Sequence, residues 1–176
     1  MKAEFSNPFV TAGIDVLESV IDSTPEPGQL AVRSATVTTQ QVSVVIGVTG
    51  PVEGKVVYGM SVVTATKIAA AKSRAPTMTF DEAAGNALAE LGNGISEEAK
   101  RLLSEAGYEC QISEPEVVRG RDMAISTTVP ALVVPLYTDV GRLEINIALE
   151  EAREEPATHE DEAIEREAEA TGPPGK

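Results

Sequence analysis

Two polar side chains on one predicted helix, a carboxylate and an amide, have types and a spacing that suit a shared binding or catalytic site on the protein surface. Glu90 and Asn93 are three residues apart, so a helix places the carboxylate beside the amide. Asparagine is a poor interior helix residue because its amide competes for backbone hydrogen bonds. Gly92 and Gly94, which flank Asn93, each cost about 1 kcal/mol relative to alanine in a helix interior. A purely structural helix does not usually accumulate these three residues, and glycines leave room for another protein's surface to approach.

A long helix over residues 80–106 is predicted to carry these side chains. Thr79 and Glu82 have the spacing of a capping box at its start, and Gly107 closes it at a position that favours left-handed backbone. On a helical wheel, one narrow stripe is apolar and is predicted to face a sheet: Ala84, Leu88, Leu91, Ile95, Ala99 and Leu102. The opposite side is polar and carries Glu82, Asn86, Glu90, Asn93 and Glu97.

Residue types alone also fit a second interpretation, a solvated polar helix face. Glutamate is ordinary on a helix surface, Gly92 can serve close packing of the helix on a sheet, and Asn93 can be incidental. Pattern alone therefore indicates only an α+β domain.

The remaining pattern predicts helices packed on an antiparallel or mixed sheet of about six strands, an α+β fold. Asn7 and Pro8 are typical of a helix start, which predicts a first helix over about 8–22. Apolar residues alternate along 42–48 and 56–60, and the short Gly- and Pro-containing connection predicts an antiparallel hairpin. A short helix is predicted over 62–74 and a connection over 115–122. Further strands are predicted over 30–37, 108–112, 125–129, 132–137 and 141–149.

The composition restricts the core and the partners. Aromatic residues are 3% of the chain and tryptophan is absent, so the core is predicted to be aliphatic. The net charge of −14 disfavours nucleic acid and anionic membrane surfaces as partners, because both carry negative charge. Ten acidic and three basic residues lie from Glu150 to Lys176, so half of the net charge is there. We therefore predict a domain over 1–150 and an acidic, disordered tail over 151–176.

The single cysteine and the single histidine exclude several site classes. Cys110 lies in an apolar alternating stretch, which predicts a buried structural thiol, and it has no second cysteine for a disulfide or zinc site. His159, the only histidine, lies in the tail. The N-terminus does not have the pattern of a signal peptide, and no apolar run is long enough to cross a bilayer. The expected location is the cytoplasm.

The segment from Asn86 to Ser96 resembles the signature helix of the CheC/CheX/FliY chemotaxis phosphatases. Their motif has Ser or Asp, then Glu four residues later, Asn three residues after that, and Pro a little over twenty residues further on. Glu90 and Asn93 match it in type and spacing, and Pro115 follows Asn93 by 22 positions. Three further stretches look like the CheX branch, namely 7–9, 45–50 and 54–60. The resemblance covers about residues 1–150.

The resemblance implies a phosphatase that acts on a phosphorylated CheY-like receiver domain. The acyl phosphate of such a receiver is already reactive, so Asn93 is expected to orient a water in line with the phosphorus. Glu90 is expected to pair with a receiver lysine and fix the docking geometry. Asn86, Gly92, Gly94 and Pro115 are expected to support this site. No cofactor is expected on this chain, because the receiver supplies the Mg²⁺.

Asn86 is a departure, because the family has Ser or Asp there. This substitution leaves open a docking module that binds receivers or other signalling proteins without dephosphorylating them. The first helix has Glu18 but no asparagine at the motif spacing, so one site per chain fits CheX better than the two-site CheC type. A structural part of the flagellar switch, as in FliY, is a third alternative. CheX-like proteins form homodimers through sheet edges, and the strands between Ile125 and Leu149 are candidates for that edge.

Overall fold

The computed structural model describes residues 1–34 and 36–153, which form three helices and ten strands. The predicted acidic tail lies outside the described residues from position 154 onward. The helices are α1 (Ala3–Ile21), α2 (Val62–Ser73) and α3 (Glu82–Glu105). The strands are β1 (Glu26–Pro27), β2 (Ala31–Arg33), β3 (Thr36–Thr38), β4 (Val42–Thr49), β5 (Val52–Met60), β6 (Gln111–Ile112), β7 (Glu116–Arg119), β8 (Ala124–Ser126), β9 (Ala131–Thr138) and β10 (Gly141–Glu151).

An antiparallel sheet of eight strands forms the frame. Its order is β1-β9-β10-β5-β4-β6, with β2 also paired to β9 and β7 also paired to β4. β3 and β8 form a separate two-stranded sheet. The predicted α+β class is confirmed, and the sheet has eight strands rather than about six. The predicted hairpin is β4–β5, in which Val44 lies opposite Tyr58.

The three helices cover one face of this sheet, and the core lies between them. Apolar side chains at every second position of β4, β5 and β10 point toward the helices, as the period of a strand requires. The core is largely aliphatic, as predicted, and Tyr58 and Phe9 are its largest fully buried side chains. Tyr58 donates a hydrogen bond at 2.9 Å to the backbone carbonyl of Phe9, which ties β5 to α1. Cys110 is buried and free, also as predicted.

The opposite face of the sheet carries a small polar cluster. Glu144 is 2% exposed and forms ion pairs with Arg33 at 2.8 Å and with Arg142 at 3.3 Å. Asn146 donates to the same carboxylate at 3.4 Å. Because Arg33 lies at the end of β2, which pairs with β9, its ion pair with Glu144 ties that edge strand across β9 to β10.

The first helix begins five residues earlier than predicted. α1 starts at Ala3, so Pro8 lies inside the helix and removes one backbone hydrogen bond. The extra turn is held by tertiary contacts. Phe5 is buried and packs edge-on against Tyr108 with ring centroids 5.2 Å apart, and the Tyr108 hydroxyl donates to Glu4. Burial of Phe5 therefore overrides the local start signal at Asn7 and Pro8.

Several other predicted boundaries are wrong. Residues 116–119 form β7 on the edge of β4 rather than a connection, and only residues 111 and 112 of the predicted 108–112 strand are paired. The strand predicted over 125–129 is the short β8, which pairs with β3 outside the main sheet. β10 is central and β9 is paired on both sides. Of the strands between Ile125 and Leu149, only β8 keeps an unpaired side within the described residues.

No helix in the described ranges combines the length and the apolar character that a bilayer crossing needs.

Candidate functional site

The helix α3 presents the predicted site on its exposed side. It begins at Glu82 after Asp81, whose side chain accepts from the Ala84 N–H at 2.9 Å. The predicted capping box at Thr79 is therefore wrong, because Asp81 is the residue that caps the helix. At the other end, Gly107 has φ +98°, the left-handed backbone that its sequence position predicts.

The predicted division of α3 into a buried and an exposed side is confirmed with one change. Ala84, Leu88, Leu91, Ile95 and Ala99 are buried, whereas Leu102 is half-buried and Leu103 is fully buried. All five predicted polar positions are exposed: Glu82, Asn86, Glu90, Asn93 and Glu97. Glu90 and Asn93 therefore stand together on the open side of the helix, within reach of another macromolecule.

Gly92 brings a second segment of the chain to the site. A Cβ at this position would lie 2.7 Å from Cβ of Pro115 and 3.0 Å from Cγ1 of Val44, which is closer than packed atoms approach. Only glycine lets Pro115 rest on the helix here. The connection that precedes β7 is thereby held near Asn93, so the structure brings Pro115 and Asn93 to the same part of the surface.

Gly94 faces α1 instead. A Cβ there would lie 3.4 Å from Cγ1 of Val16, which is an ordinary contact. Gly92 is buried and Gly94 is half-buried, so both glycines lie on the sides of α3 that pack against the rest of the protein. The expectation that they clear the surface around the Asn93 amide is wrong. Instead, these glycines allow other segments of the same chain to pack closely against α3.

A depression of about 200 Å³ adjoins Asn93 on the side of the β6–β7 connection. It is lined by Asn93, Ser96, Glu97, Lys100, Ile112, Ser113 and Glu114. The Ser113 hydroxyl accepts a hydrogen bond at 2.8 Å from the backbone N–H of Gly47, which fixes this part of the connection to β4. The Ser96 hydroxyl is buried and has no hydrogen-bond partner among the described residues. A polar concavity therefore lies directly beside the amide.

Asn86 lies on the other side of Glu90, one turn earlier on the helix. It lines a groove with Phe80, Val117 and Arg119, which is separate from the depression. The Arg119 guanidinium donates to the carbonyl of Phe80 at 2.9 Å and lies 5.1 Å from the centre of its ring. The structure thus brings Asn86, Glu90 and Asn93 onto one face but places Asn86 at the far edge of the pair.

The exposed side of α3 is negatively charged. Arg101 pairs with Glu98, at 3.1 Å from Nε, and also with Glu105. The hydrogen bond from Arg101 lowers the pKa of Glu98, so that carboxylate stays ionised. Glu90 and Glu97 have no ion-pair partner within the described residues. Together with Glu114 they outnumber the single positive charge of Lys100 around the amide, which favours a partner surface with positive charge.

A metal-binding cluster of three or more His, Cys, Asp or Glu side chains does not occur within residues 1–34 and 36–153. Carboxylates near Asn93 are spread along the helix and the connection, and do not converge on one point. The groups around the amide are therefore hydroxyls, separate carboxylates and the ammonium of Lys100.

Apart from Asn93 and Glu97, sequence reasoning missed the residues that line the depression. Ser96 is three positions after Asn93, so helical spacing alone could have identified it. Ser113 and Glu114 had no comparable signal, because only the packing of Pro115 on Gly92 brings them to the helix.

Comparisons with known proteins agree on one family. The family model described as "Chemotaxis phosphatase CheX" matches residues 42–137, more than half of the chain. The CheY-P phosphatase CheX of Thermotoga maritima is 29% identical over 137 residues, which is 77% of this chain and 88% of that protein.

Solved structures give the same result. The chemotaxis protein CheX of Desulfovibrio desulfuricans has a TM-score of 0.74 at 29% identity, over 84% of this chain and 99% of that one. The CheX-CheY-BeF3-Mg²⁺ complex from Borrelia burgdorferi has a TM-score of 0.72 at 28% identity, over 85% of this chain and 100% of that one.

Proposed function

This chain belongs to the chemotaxis phosphatase CheX family, and from that premise we propose that Glu90 and Asn93 carry its phosphatase activity. The substrate is the aspartyl phosphate of a CheY-like response regulator. The observation that supports the residue assignment is their exposure side by side on α3. They match the family's Glu and Asn positions, and a polar depression adjoins the amide.

The reaction needs positioning more than strong acid or base catalysis. Water attacks the phosphorus while the bond from phosphorus to the aspartyl oxygen breaks, which regenerates the receiver's carboxylate. Both protons of the water leave with the phosphate as H₂PO₄⁻. The Asn93 oxygen accepts a hydrogen bond from the attacking water, and its NH₂ group donates to the phosphoryl oxygens. An amide carries no charge that would repel the anionic phosphoryl group.

Glu90 sets the docking geometry in this proposal. Its exposed carboxylate pairs with a lysine of the receiver, which fixes the angle at which Asn93 enters the partner's site. The Mg²⁺ belongs to the receiver. In the Borrelia burgdorferi complex the CheX relative occurs with CheY, BeF3 and Mg²⁺. We place the protein in the cytoplasm, where receiver domains are phosphorylated.

Decay of a phosphorylated receiver tests the assignment. Purified CheY-like receivers from the same organism are phosphorylated with acetyl phosphate, and phosphate loss is followed with and without the protein. We expect acceleration by the wild type and a loss of about 100-fold or more in Asn93→Ala. Asn7→Ala is the matched control, because Asn7 is also an exposed helical asparagine. Equal rates for wild type and Asn93→Ala would contradict the assignment.

Asn86 favours one alternative, a docking module without catalysis. In that case the protein binds a BeF3-activated receiver, but dephosphorylation is not accelerated for any receiver of the organism. Asn86→Ser then restores the residue type of the family motif. A gain of activity in that variant would identify Asn86 as the cause of the missing turnover.

We also propose that the protein is a homodimer joined through sheet edges. Edge pairing would satisfy backbone groups that β6 and β7 on one side, or β1 and β2 on the other, leave unpaired within the described residues. Sedimentation that shows a monomer at micromolar concentration would reject the dimer without affecting the phosphatase assignment.

A further inference from the structure

Two grooves meet at Phe80, just before α3 begins. One lies between α3 and β7, and it is the groove that Asn86 lines. The other lies between α2 and the segment that leads into α3. Phe80 lines both, so we treat them as one surface and call it the Phe80 groove. Its apolar members are Val62, Val63, Met78, Phe80, Ala89 and Val117.

Large apolar side chains stand open to solvent in the Phe80 groove. Met78 is 92% exposed and Val63 is 60% exposed. Single exposed apolar residues are normal on a protein surface, but several along one concavity mark an interaction surface. Gly85 leaves further room, because a Cβ there meets no atom of the described chain within 4 Å apart from its neighbours in the helix. An apolar side chain of a partner can therefore enter the groove.

Two charged side chains of the groove are already bound within the protein. Asp81 accepts the Ala84 N–H at 2.9 Å and caps α3. The Arg119 guanidinium donates to the Phe80 carbonyl at 2.9 Å and lies 5.1 Å from the centre of its ring. Neither group depends on a partner for its hydrogen bond, so the groove favours an apolar occupant over a charged one.

The groove continues from the proposed catalytic side of α3. Asn86 lines it and lies one turn before Glu90. A specific protein interface buries about 800 Å² on each partner, which is far more than the side chains of Glu90 and Asn93 provide. Toward its other end α3 carries charged side chains, with Glu98 and Arg101 paired to each other, whereas the core of an interface is depleted in charge. The Phe80 groove supplies the apolar surface that such an interface needs.

We propose that the phosphorylated CheY-like receiver docks across the Phe80 groove and places an apolar side chain against Met78 and Phe80. This inference rests on the proposed function, in which Glu90 and Asn93 meet the same receiver. The groove touches no reacting atom, so it contributes affinity and the choice of receiver rather than turnover. Met78 suits this role because an unbranched, flexible side chain adapts to the surface of a partner.

Titration of the full chain with a BeF3-activated receiver tests the proposal without turnover. Gly85→Leu places a bulky side chain in the groove, so we expect the Kd to rise about tenfold or more. Leucine is a better helix former than glycine, so the Tm should equal or exceed that of the wild type. Thr11→Leu is the control, because Thr11 is exposed on α1 and does not line the groove. It should change the Kd by less than about twofold.

Met78→Ala removes an apolar contact without filling the groove. We expect the Kd to rise about threefold to tenfold, while kcat at saturating receiver stays within about twofold of the wild-type value. Met123→Ala is the matched control, because Met123 is 44% exposed and lies outside the groove. Its Kd should equal that of the wild type.

An unchanged Kd in both Gly85→Leu and Met78→Ala would overturn the proposal, and a loss of activity in Asn93→Ala would still support the phosphatase assignment. Weaker self-association of these variants in sedimentation, with an unchanged Kd for the receiver, would also overturn it and assign the groove to a second copy of this chain. A wild-type protein that binds no activated receiver of the organism would overturn the proposed function, and this inference with it.

Discussion

At the scale of single residues, the proposed chemistry depends on an uncharged amide and a charged neighbour. Asn93 and Glu90 share one exposed side of α3 but have different tasks. In the proposal the amide acts on the reacting water, so its loss should lower kcat. The carboxylate acts on the docking geometry, so its loss should mainly weaken the complex. This separation gives the two positions different kinetic signatures.

Glu90→Gln is expected to raise KM for the phosphorylated receiver about threefold to tenfold, with a smaller change in kcat. Glutamine keeps the size of the side chain and removes the charge that attracts the receiver's lysine. In the wild type, dissolved ions screen the attraction between Glu90 and the receiver's lysine, which makes KM depend on salt. The variant should therefore lose part of this salt dependence. Steady-state rates at several salt concentrations measure both effects.

Glu18→Gln is the matched control for Glu90→Gln. Glu18 is an exposed helical glutamate on α1, outside the proposed site. If both variants change KM equally, the effect comes from overall charge and not from a specific pair.

At the scale of elements, the site exists because a connection packs onto a helix at one glycine. Pro115 rests on Gly92, and this contact brings Ser113 and Glu114 to the depression beside Asn93. The helix supplies the proposed catalytic residues, while the β6–β7 connection supplies the opposite wall. The packing at Gly92 therefore contributes both to stability and to the shape of the proposed site.

Gly92→Ala and Gly85→Ala are expected to change stability in opposite directions. Alanine at 92 would place Cβ 2.7 Å from Pro115, and such overpacking costs about 1–3 kcal/mol. This outweighs the gain of about 1 kcal/mol from helix propensity. A Cβ at Gly85 meets nothing within 4 Å, so Gly85→Ala should stabilise by about 0.5–1 kcal/mol. Urea unfolding measures both, and a stabilised Gly92→Ala would contradict the packing argument.

At the scale of the whole molecule, one buried tyrosine connects the sheet to the helical layer. Tyr58 is 1% exposed, and its hydroxyl bonds the Phe9 carbonyl across the core. Burial raises its pKa well above the usual value because the charged form loses hydration. The unfolded chain releases this proton near pH 10, whereas the folded protein retains it.

The contribution of Tyr58 to stability is therefore complete below about pH 10 and is lost as the pH rises beyond it. Tyr58→Phe should lower the free energy of unfolding by about 1 kcal/mol at pH 7 and weaken its fall above about pH 10. Tyr137→Phe, at a position that is 52% exposed, should change the value at pH 7 by less than about 0.5 kcal/mol. Unfolding titrations from pH 7 to 11 measure these differences. An unchanged alkaline slope in Tyr58→Phe would contradict the assignment.

The acidic tail gives a second test at this scale. β10 extends to Glu151, and the Ala152 N–H donates to the Pro51 carbonyl, so a truncation should keep Arg153. A chain that ends there loses much of the negative charge. We expect kcat, KM and their salt dependence to stay unchanged, because a solubilising tail does not touch the receiver. A lower KM after truncation would instead indicate a segment that competes for the receiver's basic surface.

The sequence alone determined the features that follow from local periodicity. The exposed and buried sides of α3, the β4–β5 hairpin and the aliphatic core depend on spacings of three to four residues or of two, which short stretches contain. The motif of Glu90 and Asn93 is local for the same reason. The spacing of residues along the chain places Glu90 beside Asn93, and the match to the family motif is what separates this pair from an ordinary polar helix face.

The tertiary structure decided everything that depends on contacts between distant residues. Burial of Phe5 moved the start of α1, and the free edge of β4 turned residues 116–119 into a strand. The packing of Pro115 on Gly92 brought Ser113 and Glu114 to the depression beside Asn93. Such contacts leave no periodic signal, because their energy comes from surfaces that meet only after the chain has folded.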